Sequence, residues 1–457
     1  MYVGFGPGFY VRSKYGAPPL GLVNLFAEAA PNQKDRGYTL LPTPGLVIYD
    51  EFTAPMRGIF YQQGAFNNDV FVVHGSTLTR VALNGTKTDV ATNVPGSEAV
   101  SLAFSIINEL ILVADGKVYS YDGSTFQQET VDANINFVSV DYIDGRFVVV
   151  GDNSSQFYWS NVLSTTFDPL NFATAEFSAD DLVTVIAQRN AIVLFGTSVA
   201  EVWVSTGDAN APFQRQPGVI IEKGCIGPRA AVLVNQAICW VGSDDVVYRM
   251  DGYQATPIST PAISEKLGAA DARVSFYIED GHQFFLVSLP ETAYAFDTST
   301  NEWAERRSSG VDGYRPFQYV YRDGKHLAAC RYTANVYEQR TDVYTDTGSH
   351  ILREASLFVP LQQRMSCDNV ILDGARGTGL ISGQGEQPII LLDWSDDGGN
   401  TYAAPRNIFP GKIGKLATRM FTTRCGLMRP PGRVFRVRFT DPTLFRLDGM
   451  RLNEVAY

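Results

Sequence analysis

The sequence predicts an all-β protein: a β-propeller of about seven blades, then a C-terminal antiparallel β-sandwich-like domain, with an irregular N-terminal arm. Three observations predict it. A strand-rich unit recurs between residues 58 and 338 at intervals of 37 to 47 residues, the period of a propeller blade. The chain holds 22 Tyr and 28 Phe with 41 Gly and 23 Pro, a composition of half-buried strands and frequent turns. Helical periodicity is scarce: a turn or two around Ala262 to Gly268, and a short helical or extended run at Leu22 to Glu28, are its candidates.

Residues 1–50 form the arm. Gly4, Gly6, Pro7, Gly8, Gly16, Pro18, Pro19, Pro42 and Pro44 interrupt it, so it is expected to pack on something else and not to fold as a domain. The propeller is assigned to residues 51–345. Its units start at 58, 100, 137, 183, 230, 274 and 317. Each carries a short apolar run, such as Val70–Val73, Leu110–Val113, Phe147–Val150 or Ile192–Phe195, and then a turn. A small sheet cannot bury both faces alone, and stacking blades in a ring solves this. Six or eight blades, or one large Greek-key domain, remain alternatives at this point. The sandwich is assigned to residues 346–457, beyond the polar stretch Tyr344 to Ser349, because the period breaks there and longer alternating strands follow.

Net charge is −11, unevenly spread. From Arg406 onward eleven Lys and Arg face three acids, giving this tail +8 and the remainder −19. An acidic body with a basic end suggests docking between unlike surfaces. Cys225, Cys239, Cys330, Cys367 and Cys425 are odd in number and scattered, as expected of buried thiols in a protein made in a reducing cytoplasm. The four His show no ligand spacing, so neither metal nor cofactor is expected. No apolar run is long enough to span a membrane, and the first residues do not read as a secretory signal.

The densest turn signal is Ser395-Asp396-Asp397-Gly398-Gly399-Asn400-Thr401-Tyr402. It resembles the Asp box of sialidases, a structural hairpin in which Asp397 accepts backbone N–H groups, Gly399 supplies a positive φ and Tyr402 packs beneath. Glycosidase chemistry needs paired carboxylates, or a Tyr with an Arg cluster for an acidic sugar. No spacing singles out such a pair, and a sialidase would need three Arg converging in the propeller centre. GxSxG, GxxxxGK[ST] and HExxH are absent. No catalytic residue is assigned. A carbohydrate-binding or glycan-hydrolysing, sialidase-like propeller stays as the alternative function.

The strand Val434 to Phe439 alternates, with Val434, Arg436 and Arg438 on one face and Phe435, Val437 and Phe439 on the other. The Arg face is expected to be free for an interface, where Arg is enriched. With Arg433, Arg419, Lys412 and Lys415, these residues form the expected assembly interface, for protein in preference to DNA.

Several segments together resemble one family. They are Val23 to Glu28, Asp168 to Glu176, Leu194 to Trp203, Ile221 to Cys225, Gly252 to Gln254, Ile258 to Thr260, Trp394 to Thr401, Gly411 to Gly414 and Val434 to Pro442. Their order resembles the tail nozzle, or packaged-DNA stabilisation, proteins of short-tailed bacteriophages, over nearly the full length. The resemblance implies a virion tail protein, synthesised in the host cytoplasm, that is structural and not an enzyme. It implies six copies forming a tube below the portal and its head-to-tail adaptor ring. The tube would extend the DNA channel, help retain packaged DNA with a needle-like plug, and form part of the ejection conduit. DNA would pass without sequence-specific binding, and tailspikes or tail fibres would dock outside. The family often carries a longer aromatic- and Arg-rich run where this chain has Arg419 to Leu427, so family contacts there are not carried over.

Overall fold

The computed structural model describes residues 1–6, 8–11, 20–29, 37–178, 180–268 and 271–454. Seven four-stranded antiparallel units stand in chain order, and their first strands begin at Met56, Ser101, Phe137, Leu182, Ala231, Arg273 and Pro316. Each start lies within two residues of the sequence reading. The period is readable because the second strand of each blade is covered on both faces. Val70–His74, Leu110–Ala114 and Ala191–Gly196 are buried throughout, so they read as unbroken apolar runs. Asp-Gly pairs turn several hairpins with both residues at positive φ, as at Asp144-Gly145 and Asp323-Gly324, the conformation a two-residue hairpin loop requires.

Apolar clusters pass from blade to blade, and one closes the ring. Phe317, Leu327 and Val336 of blade 7 pack on Met56, Ile59 and Val72 of blade 1. The outer strand of blade 7 comes from the other end of the chain: Gly45–Glu51 pairs antiparallel with Asn335–Arg340. Those residues were expected in an irregular arm. Helix is limited, among the described residues, to one 3-10 turn and Pro261–Ser264. Thr260 caps the latter by accepting a hydrogen bond from Ile263 N.

The arm is built into the sandwich. Leu22–Val23 pairs parallel with Glu302–Arg306 of blade 6 and antiparallel with Arg353–Pro360. Blade 6 thereby continues into Gly432–Phe439, Ile390–Ser395 and Arg406–Ile408 as one nine-stranded sheet. The facing sheet is Leu25–Ala29, Tyr38–Pro42, Leu447–Leu452, Asn369–Gly374 and Phe421–Thr423, with Tyr2–Val3 on Leu447–Leu452. Phe5, Leu22, Leu25, Ala27 and Leu40 from the arm fill the core between these sheets with Leu372, Phe435, Val437 and Met450. The arm residues Pro7, Gly16, Pro18 and Pro19 lie outside the described residues.

Asn24 makes the step from one sheet to the other. It is buried with φ 51°, a conformation Asn tolerates better than other side chains with a Cβ. Its amide donates to Arg307 O at 2.9 Å and Leu352 O at 2.8 Å, and its Oδ1 accepts from Arg307 N at 3.0 Å. The residue joins blade 6, the interdomain segment and the arm.

Candidate functional site

Gly432–Phe439 lies between Arg353–Pro360 and Ile390–Ser395, with Arg436 opposite both Ser356 and Asp393. Alternation holds: Val434, Phe435, Val437 and Phe439 are buried, and Arg436 and Arg438 are half-buried. The Arg face is not free, however. Arg436 donates from Nε and Nη2 to the two oxygens of Asp393, both at 2.9 Å, and Arg438 Nη2 donates to Asp393 Oδ2 at 2.6 Å. The Asp393 carboxylate is 2% exposed. The Arg436 guanidinium also lies 3.7 Å from the centre of the Tyr402 ring, and its hydrogen bonds to Asp393 raise its pKa. The physical reason is register: an antiparallel neighbour places an acid directly across from the cation.

Arg433 is enclosed. It is 1% exposed, pairs with both oxygens of Asp396 at 2.6 and 2.8 Å, and donates to Cys425 O at 2.6 Å. Its place is in the sandwich interior and not on a surface. Arg419 is half-buried, 5.7 Å from the Phe421 ring centre. Lys412 and Lys415 are exposed on one loop, and Lys412 Nζ bonds Glu386 Oε1 at 2.8 Å. That loop packs on the loop at Gly377 through Gly377 N to Pro410 O and Gly414 N to Gly377 O. Ile381, Ile413 and Leu416, on these two loops, are 85, 58 and 71% exposed. The structure thus sets Arg433, Arg436 and Arg438 on an internally paired strand and Lys412 and Lys415 on an exposed loop, with Arg419 half-buried.

The Asp-rich turn is a closed hairpin. Asp397 accepts from Ser395 Oγ at 2.6 Å, Asn400 N at 3.0 Å, Thr401 N at 2.9 Å and Thr401 Oγ1 at 2.6 Å. These bonds hold its carboxyl well below the usual carboxylate range. Gly398 and Gly399 have φ 75° and 97°. The turn borders a cleft of about 1090 Å³ at the seam between propeller and sandwich, lined also by Glu305, Arg307, Glu354, Tyr402 and Arg436. Sequence reasoning missed this cleft, because it depends on the arm strand that joins the two domains. Burial raises the pKa of Glu354, against the pull of Arg436, Arg438 and Arg307.

A second concavity is the propeller channel, about 270 Å³, enclosed by the inner strands. Asp141 lines it and accepts from Tyr142 N at 2.8 Å and Ala187 N at 2.7 Å. Burial pushes its pKa up to about 6. A carboxyl raised on folding favours the native state fully at low pH, and that contribution is lost as pH rises through 6. Asp141→Asn should therefore gain on the parent chain by about 1–3 kcal/mol between pH 4 and 7.5, from a shift of two units reduced because the residue is only half-buried. Urea unfolding of both chains at the two pH values checks this; a constant difference would contradict it. No group of three or more His, Cys, Asp or Glu is placed to hold a metal among the described residues. No helix there is long and apolar enough to cross a membrane.

Residues 19–343 match the family model described as bacteriophage P22 Gp10, beta-propeller, and residues 351–454 match the one described as bacteriophage P22 Gp10, beta-sandwich. The tail hub protein gp10 of Salmonella phage P22 is 22% identical over 369 residues, covering 74% of this chain and 76% of that protein. Among solved structures, virginiamycin B lyase from Staphylococcus aureus aligns at 12% identity and TM-score 0.46, covering 64% of this chain and 97% of that one. The Cps50 (Swd1) β-propeller domain of Myceliophteria thermophila aligns at 8% identity and TM-score 0.45, covering 64% and 98%. Likeness at that level carries nothing about chemistry or partners.

Proposed function

Because the chain belongs to the bacteriophage P22 Gp10 family of β-propeller and β-sandwich proteins, structural components of podovirus-like virion tails and not enzymes, we propose that it is a tail nozzle subunit. Six copies form a tube beneath the head-to-tail adaptor ring. The tube extends the DNA channel, helps retain the packaged genome with a plug, and serves as part of the ejection conduit. Tailspikes or fibres dock outside, and DNA passes without sequence-specific contact. The chain is made in the host cytoplasm, in keeping with five buried free thiols. The observation that carries this reading is the pair of family matches across both domains in the same order.

The contact between copies is assigned to the exposed loop with Lys412 and Lys415, helped by Arg419 and the outer edges of Arg436 and Arg438. It meets the acidic body of the next copy. Lys412→Glu with Lys415→Glu should weaken self-association about tenfold, the scale of one to two exposed interfacial charges. The melting temperature should not move. Mass photometry of the purified chain over a salt series reads the assembly, which should weaken as salt screens the contact. An unaltered ring in the double variant would remove this loop from the interface. A stable monomer that cleaves glycans would favour the carbohydrate-active alternative over the nozzle.

A further inference from the structure

Three guanidiniums meet at the end of the propeller channel where the inner strands begin. Arg229 precedes blade 5, Arg273 opens blade 6, and Arg331 follows the second strand of blade 7. Their backbones are tied together there. Val274 N donates to Arg229 O at 2.9 Å. Arg273 lies opposite Ser288 in register, and Arg331 Nη1 donates to Ser288 O at 3.3 Å. The Arg273 guanidinium sits 4.9 Å from the centre of the Phe317 ring of blade 7.

Their charge is poorly matched. Asp271 serves two of them, accepting from Arg273 Nε at 3.2 Å and from Arg331 Nη2. Among the described residues, Arg229 donates to two carbonyls: Pro228 O at 3.1 Å and, across on blade 3, Val138 O at 2.8 Å. Its Nε is buried with no partner. Burial, with the charge of Arg273 adding to it, pushes the Arg229 pKa down to about 9. Asp141, in the same channel, is already committed to the N–H groups of Tyr142 and Ala187. A cationic cluster with one counter-carboxylate, beside a half-open pocket, is a preformed receptor for an oxyanion.

We propose that this channel mouth binds the carboxylate or phosphate group of a ligand no larger than a monosaccharide. Arg229 and Arg273 are the binding pair, and Arg331 is a positioning residue that holds Asp271 in place beside Arg273. The pocket that Arg229 and Arg273 line, about 270 Å³, matches a ligand of that size. Ser139 and Thr184 on its wall are hydrogen-bonded to each other at 3.0 Å, and Thr184 Oγ1 donates to Pro228 O at 3.3 Å. The site binds and does not cleave, so it stands apart from the structural role of the family and does not depend on ring formation.

The test is thermal unfolding of the full chain at constant ionic strength, titrated with sodium phosphate, with sodium glucuronate, and with glucose and sodium chloride as controls. A saturable rise of about 2–5 °C is expected with phosphate, glucuronate or both at ligand well above Kd. Phosphate alone would point to a phosphate ester, glucuronate alone to a sugar acid, and both to a general oxyanion site. Arg273→Gln should abolish the rise, and Arg273→Lys should retain part of it. Arg229→Gln should do the same as Arg273→Gln; should it fail to fold, because Arg229 ties Val138, Arg273→Gln alone decides. No rise in the parent chain, an equal rise with chloride, or an undiminished rise in Arg273→Gln would overturn the proposal.

Discussion

Removal of residues 1–43 is expected to unfold the C-terminal sandwich while leaving the propeller ring closed. The deletion takes Tyr2–Val3, Leu22–Val23, Leu25–Ala29 and Tyr38–Pro42 out of the two facing sheets. It removes Phe5, Leu22, Leu25, Ala27 and Leu40 from the core. Burying each larger apolar side chain contributes about 1.5–3 kcal/mol, so the loss approaches or exceeds the net stability of a whole domain, about 5–15 kcal/mol. It also opens the edges of Arg353–Pro360 and Glu302–Arg306, which the arm strand covers. Gly45–Glu51 is kept, so blade 7 keeps its outer strand. Limited proteolysis should remove residues beyond about 350 and spare a fragment that starts near 44. Deletion through Glu51 should expose the ring to protease as well. A truncated chain whose sandwich stays protected would contradict this account.

Reversal of both Arg436 and Arg438 to Glu is expected to cost the fold about 3–5 kcal/mol or more, the scale for breaking a buried ion pair. Asp393 is buried and has both cations as its partners. Two new carboxylates would face it and Glu354, whose pKa burial already raises. A free Arg face would have made the same reversal an assembly defect with little effect on folding. Equilibrium unfolding in urea separates the two outcomes. The midpoint should fall sharply here and stay put in the Lys412 and Lys415 variant.

The repeat was readable because each blade announces itself locally by a doubly covered strand flanked by tight turns, Asp-Gly in blades 2, 3, 6 and 7. Ring closure was not, because Gly45–Glu51 pairs with strands almost 300 residues away and nothing within the segment names its partner. Leu22–Val23 is two residues long, too short for any periodicity, yet it joins the two domains. The arginines were seen, and their partners were missed. Asp393 and Asp396 lie three residues apart, and so do Arg433 and Arg436. Pairing Ile390–Ser395 with Gly432–Phe439 in register sets Asp393 against Arg436, while Asp396, just past the strand, reaches Arg433. That register can be tried from sequence, but only once the two strands are known to be neighbours. The channel-mouth arginines, at 229, 273 and 331, share no local motif; the curvature of the ring brings them together.

The interleaving of the two chain ends has a consequence for biosynthesis. The amino group of Met1 donates to Leu452 O at 2.7 Å, and Tyr2 pairs with Arg451. On a ribosome Leu25–Ala29 and Tyr38–Pro42 can pair early with each other, but Tyr2–Val3 waits for Leu447–Leu452, a delay of about 20–90 s at ordinary elongation rates. Blade 7 waits for Asn335–Arg340, and the sandwich waits for Leu447–Leu452. Contacts this distant in sequence form slowly, and a chain that stops early keeps open strand edges in both domains. Translation to near residue 452 is then a condition for presenting a finished surface. A prematurely terminated copy would keep those unpaired edges exposed.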